Sequence, residues 1–91
     1  MPSIDITRTH AVSLKEARAT VDELAAAMRE RFGVDCAWQG NSMAFRRSGV
    51  NGVIEVGKDR VRVHADLGFL LLPLKPTIED EIRRHLDAHF G

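Results

Sequence analysis

The chain has 91 residues, enough for one domain over 1–91 and too few for two. Its 13 Lys+Arg balance 13 Asp+Glu to a formal net charge of zero, which argues against a general nucleic-acid binder, because such a protein needs a cationic excess to displace counterions from phosphates. With 44% apolar residues, 29% charged residues and one cysteine, Cys36, the composition is that of a soluble globular domain and excludes an intramolecular disulfide or a cysteine-built zinc site.

The start, Met1-Pro2-Ser3-Ile4-Asp5, carries neither a basic nor an apolar targeting segment, so the chain is expected in the cytoplasm. No apolar run reaches the roughly 20 residues needed to span a bilayer. Ser3 to Arg8 alternates, with Ile4 and Ile6 on one face, and is predicted to be a half-buried strand. Ser13 to Phe32 follows as a helix. Ser13 and Glu16 fit a capping box, Leu14, Ala17, Val21, Leu24, Ala25, Met28 and Phe32 form an apolar stripe, and Gly33 sits where a C-terminal cap belongs.

Short strands come next. Val34, Cys36 and Trp38 share one side of the first, Met43 and Phe45 one side of the second, and Ile54 and Val56 flank Glu55 in the third. Gly40-Asn41-Ser42, Ser48-Gly49-Val50-Asn51-Gly52 and Gly57-Lys58-Asp59 are predicted turns, the second one built on residues with positive φ. Arg60 to Leu67 alternates over its whole length. Connections this short imply antiparallel hairpins. A second helix is predicted with Thr77 as its cap, Asp80 reaching back, and Ile78, Ile82, Leu86 and Phe90 as its buried stripe.

Alternate residues sort into an apolar face and a charged face. The fold class that satisfies both is α+β, a two-layer sandwich in the order β-α-β-β-β-β-α, with one five-stranded antiparallel sheet and both helices on its dry side. The first strand is expected beside the last, giving sheet order 1-5-4-3-2.

The polar chemistry points to no enzyme. His85 and His89 share a helix face, but no third ligand or HExxH pattern accompanies them, so no metal site is expected. His64 and Asp66 share the wet sheet face, a poor place to tune a pKa. Cys36 lies on the dry side, where a thiol serves as a small hydrophobe. No nucleophile–base constellation, P-loop or GxGxxG occurs, and no cofactor is indicated. Arg46, Arg47, Arg60 and Arg62 form a basic surface that is more simply read as cross-strand pairing with Glu55 and Asp66 than as an anion site. The informative segment runs from Phe69 to Leu74. Phe69, Leu70, Leu71, Leu72 and Leu74 fit neither strand nor helix burial, so some of them pack beneath the second helix and the others face a cavity, a second chain or an apolar surface.

Two resemblances rest on these residues. Phe45-Arg46-Arg47-Ser48-Gly49-Val50-Asn51-Gly52, Arg60-Val61-Arg62-Val63 and Gly68-Phe69-Leu70-Leu71-Leu72-Pro73-Leu74-Lys75-Pro76, together with Ile4-Asp5-Ile6 and Leu14-Lys15-Glu16-Ala17-Arg18, resemble the polyhydroxyalkanoic acid system family, small bacterial proteins of storage-polyester gene regions. That family brings no catalytic residues with it. The resemblance implies a non-enzymatic accessory protein that meets a storage granule, or a granule-associated protein, through the Phe69–Leu74 side chains. The element order is also similar to a shortened helix-grip fold, with fewer strands and a final helix of about four turns. That likeness implies an acyl-chain binder walled by Trp38, Phe45 and Leu67. A homodimer joined through the apolar segment is the third expectation.

Overall fold

The computed structural model describes residues 4–90. Ser3, where the first strand was expected to begin, lies outside them, as do Met1, Pro2 and Gly91. The elements are β1 (Ile4–Thr9), α1 (Leu14–Phe32), β2 (Asp35–Gln39), β3 (Ser42–Arg47), β4 (Val50–Val56), β5 (Arg60–Leu67), a 3₁₀ segment (Phe69–Leu74) and α2 (Lys75–Phe90). The five strands form one antiparallel sheet in the order β1-β5-β4-β3-β2. This is the α+β architecture expected from the alternation, with the long β1–β5 connection closed by sheet pairing.

Helix α1 begins where the sequence places its cap. The Ser13 hydroxyl accepts the Glu16 N–H at 3.1 Å, and at the other end the Gly33 N–H donates to the Arg29 carbonyl at 2.9 Å with Gly33 in the left-handed region. Ala17, Val21, Leu24, Ala25 and Met28 are buried against the sheet. In β5, Val61, Val63, Ala65 and Leu67 enter the core while Arg60, Arg62 and Asp66 face water. Ile54 of β4 lies between Met43 and Val63 across the ladder, and all three are buried. One apolar cluster joins the sheet, α1 and α2. Each fully buried aliphatic side chain of this kind contributes about 1.5–3 kcal/mol relative to exposure.

Thr9, Val34 and Ser42 shift element ends by one residue from the sequence reading, and two boundaries differ by more. The β3–β4 turn is only Ser48-Gly49, and β4 begins at Val50. Asn51 and Gly52 are strand residues, and of the predicted turn's glycines only Gly49 has positive φ. Gly52 is glycine for another reason: the Phe45 ring lies across it, so it stands in for a side chain that has no room. The second difference is at α2, which starts at Lys75, so Thr77 is inside the first turn and not the cap. The chain enters α2 directly from the 3₁₀ segment, and the Lys75 N–H donates to the Leu72 carbonyl. The preceding turn satisfies backbone groups that a side-chain cap would otherwise serve.

The helices are tied to each other by charge. Glu81 is buried, and its carboxylate receives Arg31 of α1 at 3.1 Å and Arg84, with His85 at 3.8 Å. His89 meets Glu23 at 3.0 Å. Burial, with Arg84 nearby, pushes the His85 imidazole below its ordinary 6.5. The unfolded chain therefore takes up this proton more readily than the folded one. The stability contributed by the neutral ring is present above the ordinary value and is lost as pH falls through the folded one. The melting temperature is expected to drop between neutral and mildly acidic pH, and His85→Gln is expected to shrink that drop. Melts at a series of pH values check this, and an unaltered slope in the variant would contradict it.

Candidate functional site

The 3₁₀ segment explains how five large apolar side chains share six positions. Gly68 leaves β5 extended, and its N–H donates to the Gly49 carbonyl of the β3–β4 turn at 2.7 Å. Its own carbonyl accepts the Leu71 N–H at 2.9 Å, which closes the first 3₁₀ turn. A 3₁₀ helix has three residues per turn, so side chains three apart share a face. Leu71 packs against the core cluster. Phe69 and Leu72 form a second face, Leu70 and Pro73 a third. The result is a ridge: Phe69 is 85% exposed, Leu70 87%, Leu72 41% and Leu74 39%. The ridge has a firm seat. Gly49 closes against Leu71 so tightly that an added Cβ would lie 2.9 Å from Leu71 Cδ1. Gly68 also approaches the Gly49 Cα, its own added Cβ lying 3.3 Å away.

The four arginines are not one patch. Arg46 lies on the wet sheet face opposite Asn51 and Asp35. Arg47 turns to the end of α1, where its Nη1 donates to the Phe32 carbonyl at 2.6 Å. Arg62 grips Asp5 with two hydrogen bonds, at 3.1 and 3.0 Å. That pairing holds the Asp5 carboxyl below its ordinary range and raises Arg62. Arg60 sits at the opposite end of the strands from Arg46. The register does set Glu55 opposite Arg62, as cross-strand pairing requires, but the closest carboxylate and imidazole contacts lie elsewhere. Glu55 faces His64 at 3.8 Å, and Arg62 takes its partner from β1.

Trp38, Phe45 and Leu67 sit in different surroundings. Phe45 and Leu67 are buried in the core cluster. Trp38 lies at the sheet border, its Nε1 donating to Asp22 at 2.6 Å and its ring covered by the Arg18 guanidinium at 4.3 Å. Open recesses on the surface are lined by other residues, among them Asp5, Glu55 and Arg62 in one and Leu14, Arg18 and Asp22 in another. The first, about 550 Å³, lies between Asp5, Thr7, Glu55, Arg60 and Arg62, a setting too charged for an acyl chain.

The remaining polar candidates have structural partners. Cys36 donates its S–H to the Ala25 carbonyl at 3.8 Å, and burial pushes the thiol up, which keeps it protonated and a poor nucleophile. His85 and His89 turn to different carboxylates, Glu81 and Glu23. Among the described residues no group of three His, Cys, Asp or Glu side chains gathers around a point. His10, in the β1–α1 connection, donates from Nε2 to the Gly57 carbonyl at 3.0 Å and stacks on Phe90 with ring centroids 5.0 Å apart. Its role is to pin the end of α2 over the β4–β5 turn. No helix among the described residues is long and apolar enough to cross a membrane.

Sequence reasoning found the ridge and missed its seat. Gly49 and Gly68 lie 19 residues apart in the chain. Their contact follows from the register that pairs Val50 with Leu67, which places the β3–β4 turn beside the exit of β5. Comparison with known proteins adds one finding. The polyhydroxyalkanoic acid system protein family matches residues 4–90. No curated protein and no solved structure matches the chain.

Proposed function

We propose, from the premise that this chain belongs to the polyhydroxyalkanoic acid system protein family, that it is a non-enzymatic accessory protein that settles on the surface of storage-polyester granules. The observation that carries this reading is the ridge. Phe69 and Leu70 stand almost wholly in water on a short, well-seated segment. An exposed apolar patch of a few hundred Å² marks a contact surface.

Size argues for a soft apolar surface over a protein partner gripped by the ridge alone. A stable protein interface takes about 800 Å² from each partner, more than four side chains present. Insertion into an apolar phase needs only the side chains themselves. Phe69 and Leu70 together would gain about 3–6 kcal/mol, an affinity around millimolar for one molecule. Adsorption of that strength is reversible and suits a component present in many copies on a large surface.

The test mixes purified protein with protein-free polyhydroxyalkanoate granules and measures what sediments with them. The native chain is expected to co-sediment, and Leu70→Asp/Leu72→Asp to be retained at least about tenfold less, since each aspartate would bring an unpaired charge into the apolar phase. Equal partitioning of both proteins to the supernatant would remove the reading. Retention only on granules that keep their native coat would transfer the contact to a granule-associated protein.

A further inference from the structure

The sheet has two edges, and they differ. Strand β1 carries Asp5 and Arg8, and Arg8 is tied to Asp87 of α2, which packs beside it. Strand β2 is the other edge, and its five residues, Asp35-Cys36-Ala37-Trp38-Gln39, contain no lysine, arginine, glycine or proline. Natural edges are blunted by such residues or covered, because an open edge is a row of unpaired backbone donors and acceptors. The only charge on β2 is Asp35, at its end.

The direction of those groups follows from the hairpin. Gln39 and Ser42 flank the two-residue turn Gly40-Asn41, so they are its closing hydrogen-bonded pair. Ala37 and Asp35 face β3 in the same way, and the N–H and C=O groups of Cys36 and Trp38 point out of the sheet. We propose that β2 is the seat of a homodimer, in which the β2 strands of two copies pair antiparallel about Ala37 and the two sheets become one of twice the width.

The occupant is a second copy because the strand complements itself. Centring the pair on Ala37 sets Cys36 of each copy against Trp38 of the other, which matches outward donors to outward acceptors. It sets Asp35 against the Gln39 amide, so carboxylate never meets carboxylate. Ala37 meets only Ala37, and small side chains suit the two-fold axis. Beyond β2 the seam stops, since the Gly40 carbonyl already accepts Arg18 Nη1 at 3.1 Å. An edge used by both copies alike closes into a dimer and does not propagate into a fibre. The recess of about 280 Å³ between Asp35, Ala37, Gln39, Ala44 and Arg46 lies along this edge, where the second copy would cover it. The inference is independent of the granule reading, since β4 and β3 lie between the β2 edge and β5, which leads into the ridge.

Light scattering on the full chain at micromolar concentration is expected to give twice the chain mass. Ala37→Lys puts two ammonium groups at the axis, on a wet side that the fold leaves open, and is expected to raise the dimer dissociation constant at least about tenfold. Phe69→Ser/Leu70→Ser is expected to stay dimeric. In a Cys36→Ser background, Ala37→Cys places two thiols on a non-hydrogen-bonded pair with Cα atoms about 4.5 Å apart, within disulfide reach, and is expected to oxidise to a covalent dimer. Gln39→Cys in the same background is expected not to. A monomeric native chain, an unaffected Ala37→Lys dimer, or failure of Ala37→Cys to cross-link while native dimer persists would each overturn the proposal. A monomeric Phe69→Ser/Leu70→Ser would do the same, by moving the contact to the ridge.

Discussion

Gly52→Ala is expected to destabilise the protein by about 2–3 kcal/mol and to lower its melting temperature by roughly 10–20 °C. Backbone arguments predict the opposite sign. Gly52 is in the middle of β4 without positive φ, and alanine at such a site normally stabilises by about 0.5–1 kcal/mol through the unfolded state. Packing decides the sign. A Cβ at Gly52 would lie 2.7 Å from Phe45 Cε2 and 2.8 Å from Ala65 Cβ, nearer still to Phe45 Cζ. Phe45 is buried, so its ring cannot swing aside without opening the core. Adding Phe45→Leu to Gly52→Ala should return part of the loss, because the shorter side chain vacates the space over β4. Thermal and denaturant unfolding of the three variants measures this. A Gly52→Ala protein as stable as the native one would show that Phe45 has somewhere else to go.

Gly49→Ala should cost about 2 kcal/mol and also weaken retention on polyester granules, although Gly49 is not part of the ridge. The left-handed conformation there, φ +85, accounts for about 1–2 kcal/mol of the expected loss. The rest comes from the 2.9 Å approach to Leu71 Cδ1, the side chain that anchors the ridge to the core. Gly40→Ala is the control. Gly40 also has positive φ, at +62, but a Cβ there meets nothing within 4 Å. It should lower the melting temperature by the backbone cost alone and leave granule retention unchanged. Equal retention by both variants would separate the Gly49 contact from the behaviour of the ridge.

Much of the architecture was legible in the side-chain alternation. Val61 and Val63 point in and Arg60 and Arg62 out because a strand has a period of two, and the short turns left little freedom in the order of the last four strands. The misreadings share a cause, which is that a residue's role was set by something distant in the chain. Gly52 looked like a turn residue because the ring that lies over it belongs to the neighbouring strand. Thr77 looked like a helix cap because the 3₁₀ segment before it has no sequence period of its own. The buried Glu81 carboxylate likewise takes a partner, Arg31, from 50 residues earlier in the chain. The arginines seemed a cluster because they are close in sequence, yet Arg47 and Arg60 serve different ends of the sheet. The apolar segment itself was conspicuous from its composition, but which of its side chains turn inward depended on a three-residue period that neither strand nor helix patterning reveals.

No slack separates Leu74 from Lys75. A grip on Phe69 and Leu70 is therefore a grip on the axis of α2, and through Glu81 and Arg31 on α1 as well. Molecules adsorbed by this ridge would all stand at one tilt, like pegs in a board, whichever way each was turned about its own axis. A coat built from such pegs would have a uniform thickness set by the fold.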